Sequence, residues 1–359
     1  MSTESSGSPT AEFEKVAAAA AARGTVASFE PERLTLLERL QRFMHNYPTA
    51  APAAVLLLAI AIFYLIVGER FLSPFNLSLI LQQVVIVGML GAAQTLVILT
   101  AGIDLSIGAI MVLSSVVMGR FAIEYGVPSG FALMIGLITG AICGGINGLL
   151  ITRFRLPPFI VTLGTWSIFF ALTLWYSESQ TIRSQDISAN ASLLQWTGIT
   201  FDLWGARITV GSIMLILLFA VLWYALNYTA WGKHVYATGD DPQAAQLAGI
   251  QTKYVLLSVY IVAGVIAAVA AWALIGRIGS VSPQAGVNAN LDSITAVVIG
   301  GTSLFGGRGA IFGTLVGALV VGVFRNGLAL AGVDVLWQEF AIGVLIIVAV
   351  ALDQWIRRA

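Results

Sequence analysis

Two carboxylates, Asp104 and Asp292, adjoin long apolar runs and are the side chains best placed to do chemistry within a membrane. A carboxylate in hydrocarbon is costly, so an acid at such a position is by default a functional candidate. Each acid also stands near the start of an apolar segment, where it would stabilise the first turn as a helix cap. Gly102, Ser106 and Gly108 around Asp104 are typical of a turn that enters a capped helix. Both interpretations remain open.

Motifs of known enzyme chemistry are missing from the sequence. The pair Gly232-Lys233 is followed by His234 and has no upstream glycine at the spacing of a phosphate-binding loop. His45 and His234 are the two histidines of the chain, and neither belongs to a metal-ligand pattern. The single cysteine, Cys143, cannot form a disulfide within the chain. We therefore expect no catalytic residue, no cofactor and no metal, and any ATP would be hydrolysed by another chain.

Composition places the chain in the membrane. Of its 359 residues 58% are hydrophobic and 10% are charged, whereas soluble domains carry about 25% charged residues. So much apolar surface predicts an integral membrane protein of all-α class. The formal net charge of +0 gives no reason to expect a nucleic-acid partner.

Apolar runs of membrane length predict about ten transmembrane helices within a domain of residues 49–359. The predicted spans are 49–67, 77–99, 105–122, 131–151, 159–176, 208–226, 254–275, 291–300, 310–330 and 335–352. The eighth span, 291–300, is too short to cross a bilayer unless it is tilted, broken or re-entrant.

The first 48 residues have a different character. Residues 1 to about 30 lack large apolar side chains and indicate a tail, whereas Glu32–Tyr47 repeats apolar residues at helical spacing. That pattern is typical of an amphipathic helix on the membrane surface; a plain juxtamembrane helix is the alternative.

Basic residues set the orientation. Ten spans with a cytoplasmic N-terminus place 12 of the 18 Lys and Arg inside, together with the C-terminus. The others are then outside: Arg70, Arg120, Arg183, Arg207, Arg277 and Arg325.

A polar segment, Trp231–Lys253, separates the sixth and seventh predicted spans and falls on the cytoplasmic side in this count. Asp240 or Asp241 would cap a short helix with Pro242 in its first turn, and Gly249 would end it. An ordinary interfacial helix is the alternative to a helix that contacts a partner. The residues assigned to this candidate coupling helix are Gly239, Asp240, Asp241, Gln243, Ala244, Ala245, Gly249 and Ile250.

Uncharged polar and aromatic residues within the spans are candidates for lining a path for a neutral polyol. The same residue types hold helices together by hydrogen bonds or form interfacial belts, so both roles stay open. The candidates are Gln82, Gln83, Gln94, Asn147, Trp166 and Phe170.

Small residues and a weak internal repeat complete the pattern. Glycines four apart, at 136–148 and 309–317, predict close helix packing, with a partner helix in the same or another subunit. The segments Ala101–Gly108 and Gly300–Gly307 resemble each other, and each leads into an Ala-Ile pair. Duplicated halves are common in transporters.

Four segments together resemble the signature stretches of monosaccharide ABC importer permeases, the ribose, xylose and fructose branch, and are most similar to the fructose type. They are Thr100–Gly108, Leu156–Thr165, Tyr236–Asp240 and Ile299–Gly307. The resemblance covers about residues 35–359. It implies a multi-pass homodimer in the bacterial inner membrane, with cytoplasmic ATPase subunits below and a periplasmic sugar-binding protein above.

In that family the E-A-A-x-x-x-G loop is the helix that contacts the ATPase. Here Gln243 replaces its glutamate. The outer loop, residues 177–207, is then a candidate dock for the binding protein, or a connector.

Two other functions remain alternatives. A proton-coupled secondary sugar transporter would use Asp104 or Asp292, and a membrane receptor or scaffold would move nothing.

Overall fold

The computed structural model of this protein describes residues 50–286 and 288–357. The tail and the amphipathic helix predicted within residues 1–48 lie outside that range. The helices of the first half are α1 Ala50–Val67, α2 Pro74–Leu99, α3 Ile107–Ile123, α4 Ser129–Phe154, α5 Pro158–Ser177 and α6 Ser184–Asn190. Those of the second half are α7 Val210–Tyr228, α8 Ala230–Asp240, α9 Pro242–Leu247, α10 Thr252–Ile278, α11 Ala289–Ile299, α12 Ile311–Leu330 and α13 Val335–Arg357.

Each of the ten predicted apolar spans corresponds to one of these helices, with ends that differ by a few residues. Within the described ranges, seven helices are long and apolar enough to cross a membrane. They are α1, α2, α4, α5, α7, α10 and α12. The apolar parts of α3, α11 and α13 are shorter.

The all-α prediction omitted a small hairpin. Strands β1 (Thr200–Leu203) and β2 (Ala206–Thr209) pair antiparallel just before α7. A 3-10 helix, Ser192–Gly198, precedes the hairpin. The segment between α5 and α7, predicted as a dock or a connector, is therefore built from helix α6, the 3-10 helix and the hairpin.

The centre of the fold is formed by α2, α3 and α10. Every residue of α2 from Gly88 to Leu99 is buried, and so is every residue of α3 from Ile107 to Gly119. A helix that is apolar and buried on all sides lies inside a bundle rather than at its surface. By contrast, α1, α5 and α7 expose many apolar side chains and form the outer layer.

The glycine ridge of α4 packs mainly against α10 of the same chain. A Cβ atom at Gly140 would overlap the carbonyl oxygen of Gly264, and one at Gly144 would overlap that of Tyr260. In α12, Gly317 meets the Ala296 carbonyl of α11 in the same way, and Gly313 meets the carbonyl of Gly300, the residue that follows α11. Such close approach maximises van der Waals contact where lipid supplies no hydrophobic drive.

The short helix α11 has 11 residues, about 16 Å at 1.5 Å per residue, roughly half of the hydrocarbon thickness. A non-helical stretch after Gly279 leads into it. The expectation that Asp292 caps this helix is wrong. The N-cap is Asn288, without a side-chain cap bond, and Asp292 lies one turn further on, paired with Arg325.

Candidate functional site

The polar segment predicted from Trp231 to Lys253 folds into two helices rather than one. Thr229 caps α8 through its hydroxyl oxygen, which accepts the Gly232 backbone N–H at 3.2 Å. Residues Gly239 and Asp240, predicted to open a helix, instead end α8. The missed signal was the threonine cap followed by Trp231 and Val235, an apolar pair at helical spacing.

The second helix, α9, begins as predicted at Pro242, and the cap is Asp241 rather than Asp240. The Asp241 carboxylate accepts the backbone N–H groups of Gln243 at 2.8 Å and Ala244 at 3.0 Å. Gly249 ends the turn with a φ of +86°, a left-handed conformation that glycine adopts without steric cost.

Helix α8 is fixed to the end of α2 by a contact that admits no side chain. A Cβ at Gly239 would overlap the carbonyl oxygen of Leu99. The same oxygen accepts the Gly307 backbone N–H at 3.0 Å. The end of α2, the end of α8 and the Gly300–Ala310 loop therefore meet backbone to backbone.

Two side chains extend this attachment. The Tyr236 hydroxyl donates to the Gly309 carbonyl at 2.9 Å, and the Trp231 indole N–H donates to the Ser258 hydroxyl of α10 at 2.8 Å. Burial raises the pKa of the Tyr236 phenol above its ordinary value, which favours the protonated form that donates this hydrogen bond. Helix α8 is thereby connected to both the Gly300–Ala310 loop and α10.

Helix α9, in contrast, packs on the rest of the chain mainly through Ala245, and its outer face is exposed. Ala245 is buried, whereas Gln243, Ala244 and Gly249 are exposed. Leu247 is 92% exposed. A leucine left in water on a short helix of small residues is typical of a contact surface for another protein.

The two segments of the predicted repeat come into contact at this place. A Cβ at Gly306 would lie 2.8 Å from Ala101 Cβ and 2.9 Å from the Ala101 backbone nitrogen. Ala101–Gly108 leads into α3 and Gly300–Gly307 leads towards α12. The repeat thus supplies two loops that pack on each other and on α8.

Asp104 lies in the first of these loops, 1% exposed. One of its carboxylate oxygens accepts the Ser106 backbone N–H at 2.8 Å and the Ser106 hydroxyl at 2.6 Å. Ser106 is the N-cap residue of α3 but makes no side-chain cap bond. Asp104 therefore fixes the turn before α3, and neither side chain caps that helix by the usual bond to its first turn.

Polar side chains from four helices hold this loop. Gln94 of α2 pairs with the backbone N–H and C=O of Asp104 at 3.1 Å each. Asn147 of α4 donates to the Ser106 hydroxyl at 2.8 Å. Thr162 of α5 donates to the Ile103 carbonyl at 2.9 Å, and Asn290 of α11 donates to the Leu105 carbonyl at 3.2 Å.

Gln94 and Asn147, two of the candidate path residues, are fully buried in this role. Thr162 and Asn290 were not singled out from the sequence, where a lone threonine or asparagine in an apolar run carries no signal.

Comparison with known proteins identifies the family. Residues 76–350 match the family model described as the permease component of the branched-chain amino acid transport system. The chain belongs to this permease family.

Three relatives extend the match over most of the permease. The chain is 58% identical to the fructose import permease protein of Rhizobium meliloti, over 99% of this chain and 98% of that protein. It is 40% identical to the ribose import permease protein of Bacillus subtilis, over 80% and 88%. It is 35% identical to the D-allose transport system permease protein of Escherichia coli, over 85% and 91%. No solved structure matches the chain.

The remaining path candidates of the permease are not gathered at one place. Gln82 donates to the Arg207 carbonyl of the hairpin at 3.0 Å. The side-chain oxygen of Gln83 is buried without a hydrogen-bond partner among the described residues. Trp166 and Phe170 stack on each other along α5, with ring centroids 6.1 Å apart.

The second intramembrane acid of the permease is part of an ion-pair network. The Arg325 guanidinium of α12 lies 2.9 and 3.1 Å from the two Asp292 oxygens. It also lies 2.9 Å from a carboxylate oxygen of Glu339 on α13. The network joins three helices, and its pairs lie 14 and 33 positions apart in the chain, so the sequence alone did not predict them.

Proposed function

We propose that this chain is the transmembrane subunit of an ATP-driven importer that moves a monosaccharide, fructose in first place, across the bacterial inner membrane. ATP is hydrolysed by separate cytoplasmic subunits that contact α9. A periplasmic sugar-binding protein delivers the sugar to the opposite face. The observation that carries this proposal is the pairing of an exposed α9 with an α8 that is seated backbone to backbone on α2.

Helix α9 is suited to receive a push from an ATPase. Its outer face, with Leu247 at the tip, is free to enter a groove on a partner. The Gly239 contact with Leu99 then passes any displacement to α2, and the Tyr236 bond to Gly309 passes it to the loop before α12. A displaced α8 therefore moves both repeat loops together.

Helix α10 gives a second route, to the other face of the protein. It begins at Thr252, just after α9, and runs 27 residues to Ile278, about 40 Å. At its far end the Trp272 indole donates to the Leu193 carbonyl at 2.9 Å, and Thr197 donates to the Trp272 carbonyl at 3.0 Å. The segment between α5 and α7 is thus attached to α10, the helix that starts just after α9.

This attachment supports the part of residues 177–207 that precedes the hairpin, residues 177–199, as the dock of the binding protein rather than a loose connector. Val116 and Arg120 of α3, together with Gln180 and Asp186 of the segment itself, help to line a polar cleft of about 180 Å³. Arg120 pairs there with Glu124 and, at 3.4 Å, with Glu178. Charged groups at a cleft mouth set the orientation in which a partner docks.

Importers of this kind need two membrane subunits, so we propose a homodimer. The exposed apolar faces of α1, α5 and α7 contact lipid or the second copy. Trp166 and Phe170 are our candidates for sugar stacking, and Gln82 and Gln83 are our candidates for hydrogen-bonding groups at a separate part of the path.

The two acids support this proposal over a proton-coupled transporter. Asp292 is held by Arg325, one of whose terminal nitrogens lies within 3.1 Å of both carboxylate oxygens, and Asp104 is engaged by Ser106 within a loop that four helices hold. A proton carrier must exchange its partners during each cycle, and both acids sit in networks that give structure.

The test is transport in vesicles made with this chain, the neighbouring ATPase and the binding protein. Uptake of labelled fructose, ribose and xylose is measured with and without each component. We expect fructose uptake that needs all three components and ATP. Uptake by this chain alone, abolished by an uncoupler and indifferent to ATP, would instead establish the secondary transporter. Capture of the binding protein without sugar flux would establish the receptor.

A variant pair tests the role of α9 directly. Gly249→Trp places a large side chain on the proposed ATPase contact, where a Cβ meets nothing within 4 Å in this chain. Gly126→Trp is the matched control, because Gly126 is also left-handed, at φ +65°, also open, and lies in the turn that follows α3. We expect Gly249→Trp alone to separate ATP hydrolysis from uptake. Equal coupling in both variants would count against α9 as the contact.

A further inference from the structure

The β1–β2 hairpin has one apolar and one polar face. Its register pairs Phe201 with Ile208 and Leu203 with Ala206, and directly opposite residues point to the same side of a hairpin. The pairs Thr200–Thr209 and Asp202–Arg207 occupy the other side. Phe201 and Leu203 are 52% and 49% exposed, whereas Ala206 and Ile208 are half-buried, so the β1 part of the apolar face is uncovered in this chain.

The turn of the hairpin presents a tryptophan at a conformational cost. Trp204 and Gly205 are its two central residues, with φ of +49° and +85°. Two-residue turns with positive φ at both positions favour asparagine or aspartate followed by glycine. A bulky residue there is rare and strained. Trp204 is nevertheless 92% exposed, so packing within the chain does not offset the strain.

Contacts with α2 show where the hairpin lies along the length of that helix, and so along the membrane normal. A Cβ at Gly205 would lie 3.8 Å from Pro74, the first residue of α2. Further along, Gln82 donates to the Arg207 carbonyl, and a Cβ at Gly211 would lie 3.5 Å from Val85. The hairpin therefore runs beside the first turns of α2, with its tip at the Pro74 end, opposite to the Leu99 end that α8 contacts.

The length of α2 places that tip at a membrane boundary. Its 26 residues span about 39 Å at 1.5 Å per residue, against a hydrocarbon core of about 30 Å. The first turns of α2 thus extend into the headgroup layer. Exposed Leu72, Phe75 and Leu77 continue the apolar surface at the same height.

We propose that the β1–β2 hairpin is a membrane-interface anchor, with Trp204, Phe201 and Leu203 seated among the lipid headgroups at the Pro74 end of α2. An indole with an apolar body and one N–H donor prefers this layer. The free edge of β1 also requires it, because unpaired backbone groups are excluded from hydrocarbon but satisfied among hydrated headgroups.

Arg207 completes the fit to a phospholipid. Its guanidinium lies 5.8 Å from the Phe75 ring centroid, at the height of the α2 N-terminus. The side chain is 59% exposed, and its ion pair with Asp202 is loose, at 3.5 Å. A guanidinium so placed can donate to a lipid phosphate, which favours lipid over a purely apolar protein surface as the occupant of the hairpin.

Photocrosslinking in the assembled importer tests the anchor. The photoreactive residue p-benzoylphenylalanine replaces Trp204, and the complex with its ATPase is placed in vesicles of phosphatidylethanolamine and phosphatidylglycerol. The matched control carries the same residue at Asp202, on the polar face of the same strand. After irradiation with and without the binding protein, mass spectrometry identifies the adducts.

We expect phospholipid adducts at position 204, several-fold above those at position 202 and unchanged by the binding protein. Leu203 on the apolar face provides a second site that leaves the strained turn intact, and the same lipid adducts are expected there. Adducts with the binding protein or with a second copy, equal lipid yields at 202 and 204, or no adduct at 203 and 204 would each overturn the anchor. The outcome is independent of which sugar is transported.

Discussion

The Gly307 backbone N–H donates to the Leu99 carbonyl across 3.0 Å, and this bond joins the Gly300–Gly307 loop to the last residue of α2. Gly239 packs against the same carbonyl and leaves no room for a Cβ. One oxygen atom at the end of α2 is therefore the meeting point of three segments that lie far apart in the chain. We expect the coupling between ATP hydrolysis and transport to depend on this contact.

Gly239→Ala is the smallest change that opens this contact. The added methyl group must push α8 away from the Leu99 carbonyl, since backbone on both sides cannot rotate aside. We expect sugar uptake to fall at least about tenfold, the factor equivalent to about 1.4 kcal/mol, while the ATPase subunits still hydrolyse ATP. ATP hydrolysis and uptake are measured together in vesicles. An uptake-to-hydrolysis ratio equal to that of the unmodified protein would refute the transmission route.

The cap of α9 allows a second test with a neighbouring control. Asp241→Ala removes the oxygen that accepts two backbone N–H groups, a loss of about 1 kcal/mol for a typical cap. Asp240→Ala changes the adjacent acid, which caps nothing in α9. We expect weaker binding of the ATPase and lower coupling for Asp241→Ala alone, measured by co-purification and by uptake. The same loss in both variants would indicate a charge effect rather than a cap.

Adjacent glycines of α4 separate close packing from helix propensity. In Gly144→Ala the new Cβ overlaps the Tyr260 carbonyl, whereas in Gly145→Ala it lies 3.6 Å from Ile261 Cγ1, an ordinary contact. Overpacking costs about 1–3 kcal/mol, and alanine favours a helix over glycine. We expect a lower melting temperature for Gly144→Ala and an equal or higher one for Gly145→Ala. Thermal unfolding in detergent measures both, and a reversed order would contradict the packing of α4 on α10.

Two substitutions of Asp104 test whether this acid has a structural role or carries a proton. Asp104→Asn keeps an oxygen that accepts from Ser106, so we expect uptake within about threefold of the unmodified protein, less than 1 kcal/mol. Asp104→Ala leaves the buried Ser106 N–H without its acceptor, a cost of about 1–3 kcal/mol, and we expect poor folding. Uptake and melting temperature are measured for both. Full stability of Asp104→Asn together with abolished uptake would restore the proton mechanism.

Much of the fold follows from the sequence because apolar runs of membrane length report helices directly. The span predicted at 310–330 became α12 at Ile311–Leu330, and the polar break between α7 and α10 was placed correctly. Helix α8 was missed because its polar composition was taken as loop, although Thr229 caps it. The hairpin was missed because Trp204-Gly205 is an unusual turn sequence and the strands have four residues each.

In the candidate site, too, some features could be predicted from the sequence and others could not. Local features such as the Asp241 cap and the Gly249 stop depend on neighbours in the chain, so spacing predicts them. Pairings such as Arg325 with Asp292, or Asn290 with the Leu105 carbonyl, depend on how helices pack, and one sequence holds no record of them. The Leu99 contact is of this kind, since a backbone oxygen carries no residue-type signal.

The loop around Asp104 has a consequence for biosynthesis. Asn290, which supplies the bond to the Leu105 carbonyl, is made 185 residues later. At about 5–20 residues per second, the ribosome needs roughly 10–40 s to reach it. The nascent N-terminal half must therefore wait in the membrane with this carbonyl unmatched until the C-terminal half has been inserted. Such an interval makes the half-made chain a natural client for the insertion machinery, and a target for quality-control proteases whenever synthesis stalls.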